Sequence, residues 1–288
     1  MEIIPQLILN SVIAGAVYLL MALGFNLIFG IARFFNLAHG VVAAIGGYAA
    51  FFLGRTLGLS VYLSVVGGAA FAGLAGYGFD RLVFRRLRKG KASNMVMLVA
   101  SLGILTLVQA VIAILFTSQF QILSMNAGQQ STYAIFGGVV TVTQIGIFAS
   151  GVIVTGSLFW LLNGTMFGKA VKAASDDEEV ARINGIDTDM VIGRVFFIGS
   201  AVAGLAGILA GFDTGIEPSM GMNLLLKGVI ASIIGGVGSL SGSILGSFLL
   251  GFAENFGIWK IPGQWKDTIS FLLLIVFLLF RPQGIIKR

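Results

Sequence analysis

Apolar residues run along this chain in blocks of about twenty, separated by short polar intervals. A helix rises about 1.5 Å per residue and the hydrocarbon of a bilayer is ~30 Å thick, so such blocks predict membrane-spanning helices. Blocks at 7–29, 59–79, 95–116, 139–162 and 191–212 fit that length, and 268–280 is a shorter last one. Residues 41–53 form another short segment, rich in glycine and alanine. The stretch 224–252 is apolar but is interrupted by glycines and serines between 235 and 243. Two short helices meeting there, rather than one straight helix, put the terminal Arg281, Lys287 and Arg288 on the same side as the other basic residues. The expectation is an all-α polytopic membrane helical bundle, a single domain over residues 1–288. It has about 8–9 membrane segments, including one Gly-interrupted broken helix.

Charge orients the bundle. Arg81, Arg85, Arg86, Arg88, Lys89 and Lys91 form the densest basic cluster, and Lys and Arg collect on the cytoplasmic side of membrane proteins. The interval 117–138, with Asn126 inside it, has neither Lys nor Arg and is predicted to be external. The chain then returns, so the polar interval 163–190 is cytoplasmic, beside Lys169, Lys172, Arg182 and Arg194. This puts the N-terminus outside and the C-terminus inside. Met1-Glu2 is acidic and lacks the basic start of a signal peptide, so the first apolar block reads as a retained span.

The polar interval is the longest in the chain and carries ordered helix signals. Lys169, Lys172 and Ala173 are three and four apart and share a helical face. Ser175-Asp176-Asp177-Glu178 has capping-box spacing, predicting a helix start near Asp176. Asn184-Gly185 can stop that helix, and Asp187 or Thr188 can cap the next. A helix, a turn and a second helix start outside the lipid suit a docking knob for a soluble partner; the plain alternative is a solvated loop.

Composition narrows the chemistry. The chain is 57% hydrophobic and 10% charged, with 41 glycines, one histidine and no cysteine. Glycine at this level lets membrane helices approach closely. Disulfides and thiolate metal sites are excluded, and the net charge of +6 follows from cytoplasmic Lys and Arg without any nucleic acid. No paired carboxylates, nucleophile–base pair or metal-ligand set is found, so neither catalysis nor a cofactor is expected. The glycine run has no Gly-Lys-Ser/Thr ending and is not a phosphate-binding loop. Gly235, Gly236 and Gly238 line a gate or cavity, or else only pack helices tightly. Asn36 and His39 share a helical face and either line the path or hydrogen-bond structurally. Arg33 reads as an interfacial anchor. Lys227 and Glu254 sit near segment edges, leaving the spans almost free of charge.

The segment Ala22-Leu23-Gly24-Phe25-Asn26-Leu27-Ile28-Phe29-Gly30, followed by Asn36-Leu37-Ala38-His39-Gly40, resembles the permeases of branched-chain amino acid ABC importers. So do the polar interval itself, Gly204-Leu205-Ala206-Gly207, Ile234-Gly235-Gly236-Val237-Gly238-Ser239 and the final Arg281-Pro282-Gln283-Gly284. Taken in order they cover nearly the whole chain and are most similar to the shorter, LivH-type permease. Ser241 stands where that family commonly has proline. The resemblance implies a bacterial inner-membrane subunit that works by alternating access. Its partners would be a second homologous permease, two cytoplasmic ABC ATPase subunits, a periplasmic or lipid-anchored substrate-binding protein, and membrane lipid. It makes 163–190 the ATPase-coupling loop, with Lys172, Ala173, Asp176, Glu179, Arg182 and Gly185 as its candidate contacts. Urea and short-amide importers share these motifs, and a self-contained secondary transporter or channel is the alternative of a different class.

Overall fold

A computed structural model describes residues 3–123 and 132–286. Met1, Glu2, Asn126, Lys287 and Arg288 lie outside the described residues. Helix α1 (Ile3–Ala32) forms the centre of the bundle and is buried from Ser11 along most of its length. Pro5 falls in its first turn, where a missing N–H costs little, and no later residue breaks it. It is apolar all round, as a helix enclosed by others must be. Around it pack α9 (Thr188–Thr214), α10 (Met220–Gly235), α11 (Leu240–Gly257) and α6 (Val142–Gly164). Helix α2 (Ala38–Phe51) lies between α3 (Val61–Phe79) and α9. Small residues make that contact possible: a Cβ on Gly46 would stand 2.5 Å from the Gly204 carbonyl oxygen.

Among the described residues, six helices are long and apolar enough to cross a membrane. They are α1, α3 prolonged to Lys89, α5 (Asn94–Phe116), α6, α9, and the last helix with its leading turn, Gly263–Phe280. The prolongation of α3 runs through a π-helical turn, Asp80–Phe84, into the short α4 (Arg85–Lys89). Helices α10 and α11 bend by 115° at the glycines and together make a seventh span at most. The expected 8–9 segments count each half of that pair and α2 separately. Helix α2 runs on through a π-helical turn, Phe52–Thr56, and is not among the helices long and apolar enough to span. The broken-helix expectation is met: α12 (Lys266–Phe280) returns to the glycine junction, where Ile286 N–H donates to Gly235 O at 3.0 Å.

The bundle also carries one hairpin that the hydrophobic pattern did not indicate. Strands β1 (Thr132–Ile135) and β2 (Gly138–Thr141) pair antiparallel around Phe136 and Gly137, whose φ values of 49° and 86° suit a tight two-residue turn. Gln6 pins it to the start of α1: Nε2 donates to Val139 O at 3.1 Å and Oε1 accepts from Val139 N at 2.8 Å.

Candidate functional site

The polar interval folds as two short helices, α7 (Met166–Asp176) and α8 (Glu178–Ile183). Thr165 caps α7 by accepting from Gly168 N at 3.1 Å. Between the helices, Asp177 is extended (φ −150°, ψ 113°), and its Oδ1 accepts from Glu179 N at 2.9 Å and Val180 N at 3.0 Å. The helix start is therefore one to two residues later than predicted, and the Ser175–Glu178 capping box does not form. Ser175 is still inside α7, where its hydroxyl donates to Gly30 O at 2.5 Å, so it is engaged elsewhere. Asn184-Gly185 ends α8 as predicted, with Gly185 at φ +83° and open space around it. Asp187 then caps α9 by accepting from Met190 N at 2.9 Å.

This module is tied to the bundle on two sides. Arg33, itself at φ 53°, donates from Nη2 to Ser175 O at 2.5 Å and Asp176 O at 3.1 Å, covering the last carbonyls of α7. Arg33 is thus a clamp on the module. On the other side Asp189, in the first turn of α9, pairs with Arg85 at 2.9 Å and Lys89 at 3.4 Å. The basic cluster and the module share one end of the molecule, as the charge pattern required. Glu179, Val180 and Ile183 are exposed, and Arg182 is occupied by Glu178 at 2.8 Å in an exposed i,i+4 pair. Lys172 donates to Asn163 at 2.8 Å, and Ala173 is half-buried. Lys172, Ala173 and Asp176 thus lie on α7, Glu179 and Arg182 on α8, and Gly185 in the turn after it.

The other candidates are buried. Asn36 caps the start of α2, accepting from Ala38 N at 3.1 Å. His39 packs its ring against Gly24 and Phe25 of α1, and among the described residues neither ring nitrogen has a hydrogen-bond partner of normal geometry. Gly235 lies against the backbone of Gly242, so that a Cβ there would overlap the Gly242 carbonyl. Gly236 and Gly238 take φ +113° and +82°, values that favour glycine. The junction is closed backbone to backbone.

Sequence reasoning missed what closes it. Asn26 of α1 accepts from Gly238 N at 2.9 Å and donates to Ser243 Oγ at 2.6 Å. The carbonyls of Ile234 and Gly235, freed where α10 ends, accept from Ile285 N at 2.9 Å and Ile286 N at 3.0 Å. Asn26 had a local signal, a lone amide deep in an apolar block; the tail had only its motif. Asn26, Gly238, Lys172 and Asp176 line one cleft of about 380 Å³, so junction and module adjoin.

A second correction concerns charge. Lys227 and Glu254, expected near segment edges, meet inside the bundle at 2.6 Å, where the Glu254 side chain is fully buried. Tyr18, halfway along α1, donates to Glu254 Oε2 at 2.6 Å, Ser270 joins the same carboxyl, and Asp267 lies 2.7 Å from Lys227. The fold draws together residues from α1, α10, α11 and α12 that the linear pattern scatters.

The family profile described as "Branched-chain amino acid transport system / permease component" matches residues 7–278. Similar proteins include the high-affinity branched-chain amino acid transport system permease protein BraD of Pseudomonas aeruginosa, 33% identical over 98% of this chain and 95% of that protein. LivH of Escherichia coli, described in the same words, is 31% identical over 98% of this chain and 95% of its own. The autoinducer 2 import system permease protein LsrC of Salmonella paratyphi B is 29% identical over 64% of this chain and 54% of that protein. Among solved structures, PsaBC from Streptococcus pneumoniae in complex with Fab matches at TM-score 0.52 and 14% identity, covering 98% of this chain and 93% of that one. That likeness speaks for the fold alone.

Proposed function

The chain belongs to the branched-chain amino acid transport system permease family, and from that premise we propose that it is the permease subunit of an ATP-driven ABC importer for leucine, isoleucine and valine. A second homologous permease, two cytoplasmic ATPases and a periplasmic or lipid-anchored binding protein complete the machine. The observation that carries this reading beyond family membership is the module α7–α8. It is a compact polar unit with an exposed tip, clamped by Arg33 to the end of α1, and the start of α9 that follows it is tied to α4 by the Arg85–Asp189 pair. A membrane subunit moved by a soluble engine needs such a rigid handle. The basic cluster beside it supports a cytoplasmic location, with the N-terminus outside and the C-terminus inside.

In this reading ATP-driven closure of the ATPases displaces the module, and its clamps pass the displacement to α1 and α9. Asn26 then carries it to the glycine junction, the candidate gate, while Asn36 and His39 serve the packing of α2. The binding protein selects the substrate and the path through the permease is weakly selective. The competing class, a self-contained transporter or channel, was disfavoured by the scarcity of charge in the spans. The buried Lys227–Glu254 pair removes that argument, and family membership replaces it. The test is reconstitution with its partner ATPases and binding protein in liposomes. ATP-dependent uptake of leucine, competed by isoleucine and valine but not by urea or acetamide, is the expected outcome; uptake of leucine without ATP or partners would overturn it.

A further inference from the structure

We infer that the cleft between α1, α9, α10 and α12 is a transient station for a zwitterionic amino acid, which enters by exchanging its two charges with the Lys227–Asp267 ion pair. This rests on the import function proposed above and adds a substrate site inside the permease. The cleft holds about 360 Å³ and is lined on its polar side by Tyr18, Asn223, two cations, Lys227 and Lys266, and two carboxylates, Glu217 and Asp267. The cleft runs from Tyr18, at the middle of a 30-residue helix, to Thr214 and Asp267 at the ends of α9 and α12. Charged groups within a membrane bundle are expensive and typically mark a route for a polar solute.

The cluster has a fixed half and an exchangeable half. Glu254 is the fixed half: its side chain is fully buried and held by Tyr18, Ser270 and Lys227, with Lys266 3.6 Å away as a second counter-ion. Asp267 is the exchangeable half. Its side chain is 76% exposed although one oxygen is 2.7 Å from Lys227, and an ion pair with one exposed partner contributes little. An incoming α-carboxylate takes the place of Asp267 on Lys227, and the released Asp267 receives the α-ammonium. Each charge keeps an opposite partner and the net charge of the cleft is unchanged, so no ion is left buried and unpaired. The remaining wall, Phe120, Met220 and Leu224, is apolar and accepts an aliphatic side chain, with Met220 able to adapt its shape. A ligand with both charges meets both members of the pair, and one lacking either charge meets a single member. Binding by exchange is weak by construction, which a station on a path requires.

The experiment uses the permease–ATPase complex in lipid nanodiscs without binding protein. Saturation-transfer NMR is recorded with leucine, leucinamide, which lacks the carboxylate, and 4-methylpentanoate, which lacks the ammonium. Leucine methyl signals are expected to exceed those of both analogues several-fold. Asp267→Asn, at an exposed position, should lower leucine to the level of the analogues without changing the yield of complex, and Asp267→Glu should restore it. Equal signals for all three ligands, no signal for any, or leucine binding indifferent to Asp267→Asn would each overturn the station. ATP-driven leucine uptake by the complete importer is measured in parallel. Uptake without a leucine signal removes the station alone, whereas loss of wild-type uptake removes the import reading.

Discussion

The module and the glycine junction are both interruptions between apolar helices, and they are held in opposite ways. The junction is closed at its centre. Gly235 meets Gly242, Gly236 meets the Ile286 carbonyl, and Asn26 and the tail satisfy the freed backbone groups. The module is held at its edges, by Arg33, Ser175 and Asp189, while its tip with Glu179, Ile183 and Gly185 stands free. A broken helix within a membrane must bury or pair its loose backbone, because no water is there to do so. A handle for a soluble partner must keep its contact surface unspent. Substitutions in the junction should therefore disturb the packed bundle and its transport path, and substitutions in the module should act on coupling.

The largest expected effect is at Gly235. Any side chain there overlaps backbone, which cannot move aside as a side-chain end can. Gly235→Leu should abolish both monodisperse protein in detergent and uptake. Gly236→Leu meets the Ile286 carbonyl, which lies outside the helices, and is strained by its φ of +113°. It should leave insertion intact and still abolish transport, as should Gly238→Leu, which is strained by its positive φ. Normal uptake by all three would erase the contrast between the two regions.

Next comes the tail. Deleting residues 284–288 removes the donors to Ile234 O and Gly235 O, and an unsatisfied buried polar group costs about 1–3 kcal/mol. The thermal midpoint should fall by several degrees, on the scale of about 2–4 °C per kcal/mol for domains of this size. Asn26→Ala removes one acceptor and one donor from the same junction and should cost a similar or smaller amount. Combined with the deletion it should be non-additive, since both act on one network. Strict additivity would mean that the tail and Asn26 support separate structures.

The long spans and the module were legible because their signals are local: block length for one, capping residues and an Asn-Gly stop for the other. The basic cluster placed them at a common end for the same reason. The clamps were not legible. Asn26 reaches Gly238 across 212 residues, and Arg33 reaches Ser175 across 142, so nothing in either neighbourhood announces the partner. The buried ion pair was misplaced because Lys227 and Glu254 lie toward opposite margins of a long apolar stretch that folds back on itself at the 115° bend. The hairpin was missed because Phe136-Gly137 is an unusual turn pair, with an aromatic residue at positive φ.

Within the module the backbone should matter more than the charges. Gly185 stands at φ +83° with open space around it, so a side chain there meets strain and no collision. Gly185→Val should cost about 1–3 kcal/mol locally and misplace the tip. The permease should reach the membrane at normal levels, with uptake and binding-protein-stimulated ATP hydrolysis both lost. Gly185→Asn tolerates this conformation better and should retain most activity. If valine and asparagine behave alike, the backbone angle is irrelevant to coupling.

The smallest expected effect is at Glu179, and it isolates the contact surface from the fold. Its backbone N–H is used by the Asp177 cap, but the side chain is exposed. Glu179→Arg leaves that cap intact and places a positive charge in the first turn of α8, unfavourable there by about 0.3–1 kcal/mol. That is too little to unfold a module clamped at both edges, so thermal stability and membrane abundance should stay within error of wild type. A surface that seats on an ATPase is sensitive to charge sign even where the fold is not. Co-purification of the ATPase should therefore weaken, more at low salt than at high, with uptake falling in proportion. Glu179→Gln, which removes the charge without reversing it, should lie between the two. Wild-type co-purification and uptake for Glu179→Arg at every salt concentration would take this side chain out of the interface and leave the handle to the backbone and apolar tip alone.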